Sequence, residues 1–113
     1  MPPKTNPLKL NKLQLRTLVL LQVLGRDERS SMAGPEEGAV TITHRPQVHG
    51  DHVHVGEFTV SGRDASGFAN PAVWVALARK GLARHDASGT VLTAEGLAYD
   101  TGLADRLTAP SDH

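Results

Sequence analysis

The stretch that decides the fold runs over residues 70–96 and reads NPAVWVALARKGLARHDASGTVLTAEG. Asn70 and Pro71 are typical of a helix start, because an Asn side chain accepts hydrogen bonds from free N–H groups and Pro has no N–H to leave unsatisfied. Val73, Trp74 and Leu77 follow at helical spacing and predict a buried face. Gly81 then predicts the end of the helix, since glycine readily adopts the left-handed conformation found there.

The second half of the same stretch predicts a hairpin followed by another helix. Residues 82–85 and 90–92 are its expected arms, and Asp86-Ala87-Ser88-Gly89 is the turn between them. Thr93 predicts the cap of a last helix, whose core-facing residues would be Leu97, Leu103 and Leu107. The order of elements is therefore helix, hairpin and helix.

A leucine-rich helix is predicted near the N-terminus. Asn11 and Gln14 have the spacing of a capping box, and Leu10 and Leu15 have the spacing of a hydrophobic staple. Gly25 is the expected stop. The apolar stripe of this helix comprises Leu13, Leu18, Leu20, Leu21, Val23 and Leu24. Residues 26–38 are charged and contain Pro and Gly, so we expect a surface loop there.

Residues 40–62 alternate in a way that predicts a β-hairpin. If Gly50-Asp51 forms a two-residue turn, three cross-strand pairs follow: His49 with His52, Val48 with Val53, and Gln47 with His54. A bulge at Gly56 would extend the pairing so that His44 faces Phe58 and Ile42 faces Val60. The predicted apolar face comprises Val40, Ile42, Val48, Val53, Val55, Phe58 and Val60.

Residues 70 to about 103 resemble the recognition helix, wing and final helix of bacterial winged helix-turn-helix regulators. The segments that carry the resemblance are LARKGLA over 77–83 and LTAEG over 92–96, with the short hairpin between them. The resemblance implies an α+β, winged-helix-like small domain with an N-terminal helix, a β-hairpin, a second helix, a short wing and a C-terminal helix. We expect a flexible lead-in over 1–10, a single domain over 11–107 and a flexible tail over 108–113. The chain departs from the family where a β-hairpin stands in place of a full second helix.

The resemblance implies two kinds of partner, DNA or protein. The residues available for DNA are Asn70, Arg79, Lys80, Arg84 and His85. Base readout needs polar side chains near the helix start, whereas Pro71, Ala72 and Val75 are apolar. The chain also has 12 basic and 12 acidic residues, so no net charge attracts it to nucleic acid.

The leading prediction is therefore a non-enzymatic regulatory or protein-interaction module, and a DNA-binding transcriptional regulator is the first alternative. Protein partners include a second copy of the chain, since the apolar residues 18–24 and 73–77 could support a homodimer.

A His-rich hairpin suggests a second alternative, a metal-binding protein. His49, His52, His54 and Asp51 come together in the predicted register, and neighbouring imidazoles could hold a Zn, Ni or Cu ion. A solvated polar strand face is the plainer interpretation of the same residues. No other cofactor is predicted.

Composition restricts the remaining function classes. With 113 residues the chain is one small domain, and without cysteine it has neither disulfides nor thiolate sites. Ser61, Ser66 and Ser88 have no evident base and orienting acid, which argues against an enzyme. The start of the chain lacks the apolar region of a signal peptide and no run is long enough to span a bilayer, so we expect a cytoplasmic protein without a membrane partner.

Overall fold

The computed structural model describes residues 6–43, 47–49, 52–55, 58–61, 66–86 and 89–101. Within these residues the chain is an α+β domain with a four-stranded and a three-stranded antiparallel sheet. The helices are α1 (Lys12–Arg26), α2 (Pro71–Arg79) and α3 (Ala94–Ala98), and a 3-10 helix (Ser66–Ala69) precedes α2. The strands are β1 (Ser31–Ala33), β2 (Val40–Ile42), β3 (Gln47–His49), β4 (His52–Val55), β5 (Phe58–Ser61), β6 (Ala83–Asp86) and β7 (Gly89–Leu92).

Helix α1 begins as its sequence predicts and ends later than predicted. The Asn11 side chain accepts from the Gln14 N–H at 2.8 Å, and the Gln14 side chain accepts from the Asn11 N–H at 3.0 Å, which confirms the capping box. Gly25 is not the stop, because the helix continues through Arg26. The helix ends at Asp27, whose extended backbone leaves the helical path and whose carboxylate accepts from the N–H of Arg29 in the next turn.

The four-stranded sheet has the order β1-β2-β7-β6 and includes a strand that the sequence analysis missed. Residues 31–33, expected in a surface loop, form β1 and pair with β2, so that Ser31 lies opposite Ile42. On its other edge β2 pairs with the hairpin strand β7, where Ile42 lies opposite Thr90. The predicted pairing of Ile42 with Val60 is therefore wrong, because both edges of β2 are occupied by other strands.

The three-stranded sheet is a meander in the order β3-β4-β5. Its first register matches the prediction, with His49 opposite His52 and Val48 opposite Val53. The predicted bulge is wrong, since β5 turns back along β4 and Phe58 lies opposite Val55. Because the chain reverses between Val55 and Phe58, the apolar residues of β4 lie opposite those of β5 without the extra residue of a bulge. His44 lies outside the described residues.

Helix α1 forms one side of the core, and leucines from α2 and the four-stranded sheet pack against it. Leu18, Leu20 and Leu21 are almost completely buried, and Leu77 and Leu92 meet the same cluster. The residues suggested for self-association, 18–24 and 73–77, are thus largely internal to one chain. Val75 is the large apolar residue of α2 that is exposed.

Side chains of α1 hold the end of α3. The Gln22 amide is buried and donates to the carbonyl oxygens of Gly96 and Tyr99 at 2.9 and 2.8 Å, and Arg26 donates to that of Leu97 at 2.9 Å. These contacts supply donors to carbonyl groups at the end of the short helix, where the Gly96 carbonyl oxygen also accepts from the Tyr99 N–H at 3.4 Å. Leu103 and Leu107, expected on this helix, lie outside the described residues.

Replacing Gln22 with Met should lower the free energy of unfolding by about 2 kcal/mol, because the Tyr99 carbonyl oxygen loses the Gln22 donor and the Gly96 carbonyl oxygen keeps only the Tyr99 N–H. Chemical denaturation with urea measures the change. Lys12→Met, an exposed substitution at the start of the same helix, is the control and should stay within about 0.5 kcal/mol of the parent chain. An equal effect of the two substitutions would contradict the structural role of the Gln22 amide.

The segment before α1 is joined to the segment after α3. The Asn6 N–H donates to the carbonyl oxygen of Asp100 at 2.7 Å, and the Tyr99 hydroxyl donates to the Asn6 side chain at 2.7 Å. The Asn6 amide also donates to the Leu10 carbonyl oxygen at 2.9 Å. Residues 6 and 100, close to the two ends of the described chain, therefore lie side by side.

Candidate functional site

Helix α2 is fixed at both ends by its own sequence. The Asn70 side chain accepts from the Ala72 N–H at 3.0 Å, and Pro71 occupies the first turn, as predicted. At the other end Gly81 has a φ of +71°, the Leu82 N–H donates to the Leu77 carbonyl oxygen at 3.0 Å, and the Gly81 N–H donates to that of Ala78 at 3.1 Å. This pair of hydrogen bonds is a Schellman motif, which confirms the predicted role of Gly81.

The two sides of α2 differ in burial but not in polarity. Val73 and Leu77 are buried against the core. Five residues that share the opposite side by helical spacing are exposed: Pro71, Ala72, Val75, Ala78 and Arg79. We call these five residues the outer face of α2. Four of its five residues are apolar, and Val75, at its centre, is 51% exposed.

The β6–β7 hairpin packs on α2 through an aromatic contact. The Trp74 and His85 rings stack with centroids 4.9 Å apart and an angle of 28° between their planes. The Trp74 indole N–H donates to the Phe68 carbonyl oxygen at 2.9 Å, and His85 Nδ1 lies 2.7 Å from the Thr90 hydroxyl. His85, a candidate DNA contact, is thus engaged within its own chain.

The other candidate DNA contacts divide into two groups. Arg84 forms an ion pair with Glu36, which lies in the turn between β1 and β2, and Asn70 uses its side chain as the cap of α2. Arg79 and Lys80 are exposed, and within the described part of the chain neither side chain has a hydrogen bond or an ion pair. As far as the described ranges extend, two of the five candidates therefore carry positive charge without a partner, and both lie at the end of α2.

Sequence reasoning missed the partners of Arg84 and His85. Glu36 lies 48 residues before Arg84, and Trp74 is 11 residues before His85 on a different element. No spacing rule connects such pairs, because the sheet order that brings them together is a tertiary property. A Trp on a short helix next to a hairpin was the available signal for the ring contact.

The candidate metal residues lie in register on two strands of the three-stranded sheet. His49 lies opposite His52, and His54 is two residues further along β4. Asp51 lies outside the described residues. No group of three potential ligands that could hold a metal ion occurs among the side chains that the structure describes, which do not include those of the three histidines.

Comparison with known proteins gives no relative. No known protein family, no curated protein and no solved structure matches this chain. In the described ranges, no helix has the length and apolar character needed to cross a membrane.

Proposed function

We propose that this chain is a non-enzymatic, winged-helix-like interaction module whose α2 outer face binds an acidic, apolar helical segment of a partner protein. The observation that carries the proposal is the exposure of Val75 at the centre of an apolar helix side. This side ends in two cations, Arg79 and Lys80, that have no ion pair among the described residues. Such a side is suited to packing against another apolar surface.

The order of elements supports the winged-helix-like assignment. Helix α2 leads directly into the β6–β7 hairpin, and α3 follows, in the order that the resemblance implies. Strand β7 lies between β6 and β2, so the hairpin is joined to the rest of the domain by a strand from earlier in the chain. Under this proposal, α2 corresponds to the recognition helix of a winged-helix domain.

The chemistry of the face favours a protein over DNA. Near its N-terminus α2 offers Pro71, Ala72 and Val75, which have no groups to hydrogen bond to base edges. Arg84 and His85 have partners in their own chain, so using them on DNA would require those contacts to be broken. Apolar side chains bordered by charge are instead typical of a groove or helix contact between proteins.

The charge at the end of the α2 outer face indicates which kind of partner segment binds there. Arg79 and Lys80 border the apolar residues, so a partner with Asp or Glu beside its own apolar side chains would be attracted and oriented. A second copy of the same face offers no carboxylate to Arg79 and Lys80, because α2 has no acidic residue, and a parallel pairing of two copies would also bring the positive charges together. Both points disfavour a symmetric homodimer through α2.

Replacing Val75 with Glu should weaken binding to such a segment by at least about tenfold, since a carboxylate would be buried in the contact and would repel acidic partners. A displayed library of helix-forming peptides, selected on the full chain, supplies the probes. We expect the selected peptides to combine apolar residues at helical spacing with Asp or Glu, and their affinities can be measured by fluorescence anisotropy.

Met32→Glu is the matched control, because it adds the same charge to another exposed apolar residue, 60% exposed and located on β1. This variant should bind the selected peptides as the parent chain does. Selection of basic peptides, or equal binding by Val75→Glu, would contradict the proposal. Retardation of duplex DNA with a steep salt dependence, abolished in Arg79→Ala, would favour the DNA-binding alternative instead.

A further inference from the structure

The three-stranded sheet has two chemically distinct faces, as its register shows. Side chains alternate along each strand, and directly paired residues share a face. Val48, Val53 and Val60 align across the three strands, and Val55 pairs with Phe58. The remaining positions align equally well and are all polar: Gln47, His49, His52, His54, Thr59 and Ser61. Half of this polar face is histidine.

We propose that His49, His52 and His54 form a binding site for a transition-metal ion on the polar face of this sheet. His49 and His52 are direct cross-strand partners, a relation that places Cβ atoms about 5 Å apart. His54 follows His52 by two residues on the same strand and therefore belongs to the same face. The three positions form a triangle. Strand β4, which carries two of them, is paired with β3 on one edge and with β5 on the other.

The donor set selects the class of ion. Three imidazole nitrogens and no thiolate suit Zn²⁺, Ni²⁺ or Cu²⁺, because imidazole is a common ligand of these ions whereas Mg²⁺ and Ca²⁺ prefer oxygen. Three histidines leave a fourth position of a tetrahedral zinc site for water or another group. Gln47 and Thr59 are the cross-strand neighbours of His54 on the same face.

Isothermal titration of the full chain without an affinity tag, with Zn²⁺, Ni²⁺ and Cu²⁺ each added alone, tests the site. We expect one ion per chain and binding at least about tenfold weaker in His52→Ala, because loss even of groups that only orient metal ligands weakens affinity about 10- to 100-fold. Adding a fourth imidazole with Gln47→His, opposite His54, should tighten binding.

His85→Ala is the control, since this histidine lies on β6 of the other sheet and should leave the stoichiometry and affinity unchanged. Circular dichroism identifies any variant that fails to fold, and Gln47→His gives a second test that removes no residue needed for binding. The proposal is overturned if the parent chain binds none of the three ions, or if His52→Ala and His85→Ala weaken binding equally.

Discussion

Replacing Leu77 with Ala is expected to lower the free energy of unfolding by about 3 kcal/mol. Leu77 is completely buried and belongs to the cluster in which α2 meets α1 and the four-stranded sheet. Its carbonyl oxygen also accepts the N–H of Leu82 in the motif that ends α2. Removing its side chain leaves a cavity in which the leucines of three elements lose contacts. Urea denaturation followed by circular dichroism measures the loss.

Val75→Ala is the matched control on the same helix. It also shortens an apolar side chain, but on the outer face, where half of the Val75 surface is already in contact with solvent. Its effect should stay within about 0.5 kcal/mol. If Val75→Ala proved as damaging as Leu77→Ala, the orientation of α2 would be wrong, and with it the outer face on which the proposed function rests.

The second large effect is expected at Gly96, where Ala should destabilise the fold by about 3 kcal/mol. A methyl group at this position would overlap the Leu82 carbonyl oxygen and lie 2.8 Å from both the Leu82 carbonyl carbon and Leu92 Cδ1. The obstructing carbonyl is backbone and is held by the Thr93 N–H at 3.0 Å, so it cannot simply move aside. Thermal and urea unfolding of the Gly96→Ala chain measure the effect.

The sign of the change in the free energy of unfolding on Gly96→Ala shows whether packing or helix propensity dominates at this position. On propensity alone, Ala in place of Gly within a helix should stabilise it by about 1 kcal/mol. Glu95→Ala, one residue earlier and exposed, is the control and should stay within about 0.5 kcal/mol of the parent chain. A stabilised Gly96→Ala chain would contradict the close approach of α3 to the end of α2.

The helix ends were predictable because they depend on neighbours in sequence. Each of the three helices is capped by a side chain that contacts groups no more than three residues away. The caps are Asn11 with Gln14, Asn70 followed by Pro71, and Thr93. The β3–β4 register was predictable for the same reason, since a two-residue turn fixes the pairing on both sides of it. Local chemistry was sufficient for these features.

The sheet topology was not predictable from local chemistry. Val40 and Ile42 continue the alternation of residues 48–60, so the pattern favoured one long hairpin, but β2 belongs to the other sheet and pairs with β7 almost fifty residues later. A short strand such as β1, with the composition Ser-Met-Ala, carries no alternation by which it could be recognised.

The sequence predicted which residues form the candidate site on and next to α2. It did not predict the residues of the same chain that these side chains contact. The apolar start of α2 and the positive charge at its end are evident in the sequence. The pairing of Arg84 with Glu36 and the stacking of His85 on Trp74 depend on which strands lie side by side. These contacts reduce the basic surface that the sequence alone had suggested for DNA.

The hydrogen bond between Asn6 and Asp100 has a topological consequence. Because Asn6 and Asp100 lie next to each other, a short linker from residue 100 to residue 6 would close this part of the chain into a ring. The exposed turn over 35–38 then offers a place for new termini. The same closeness would let residues 6–100 be inserted into a surface loop of a host protein, because the two points at which they join the host chain would lie next to each other.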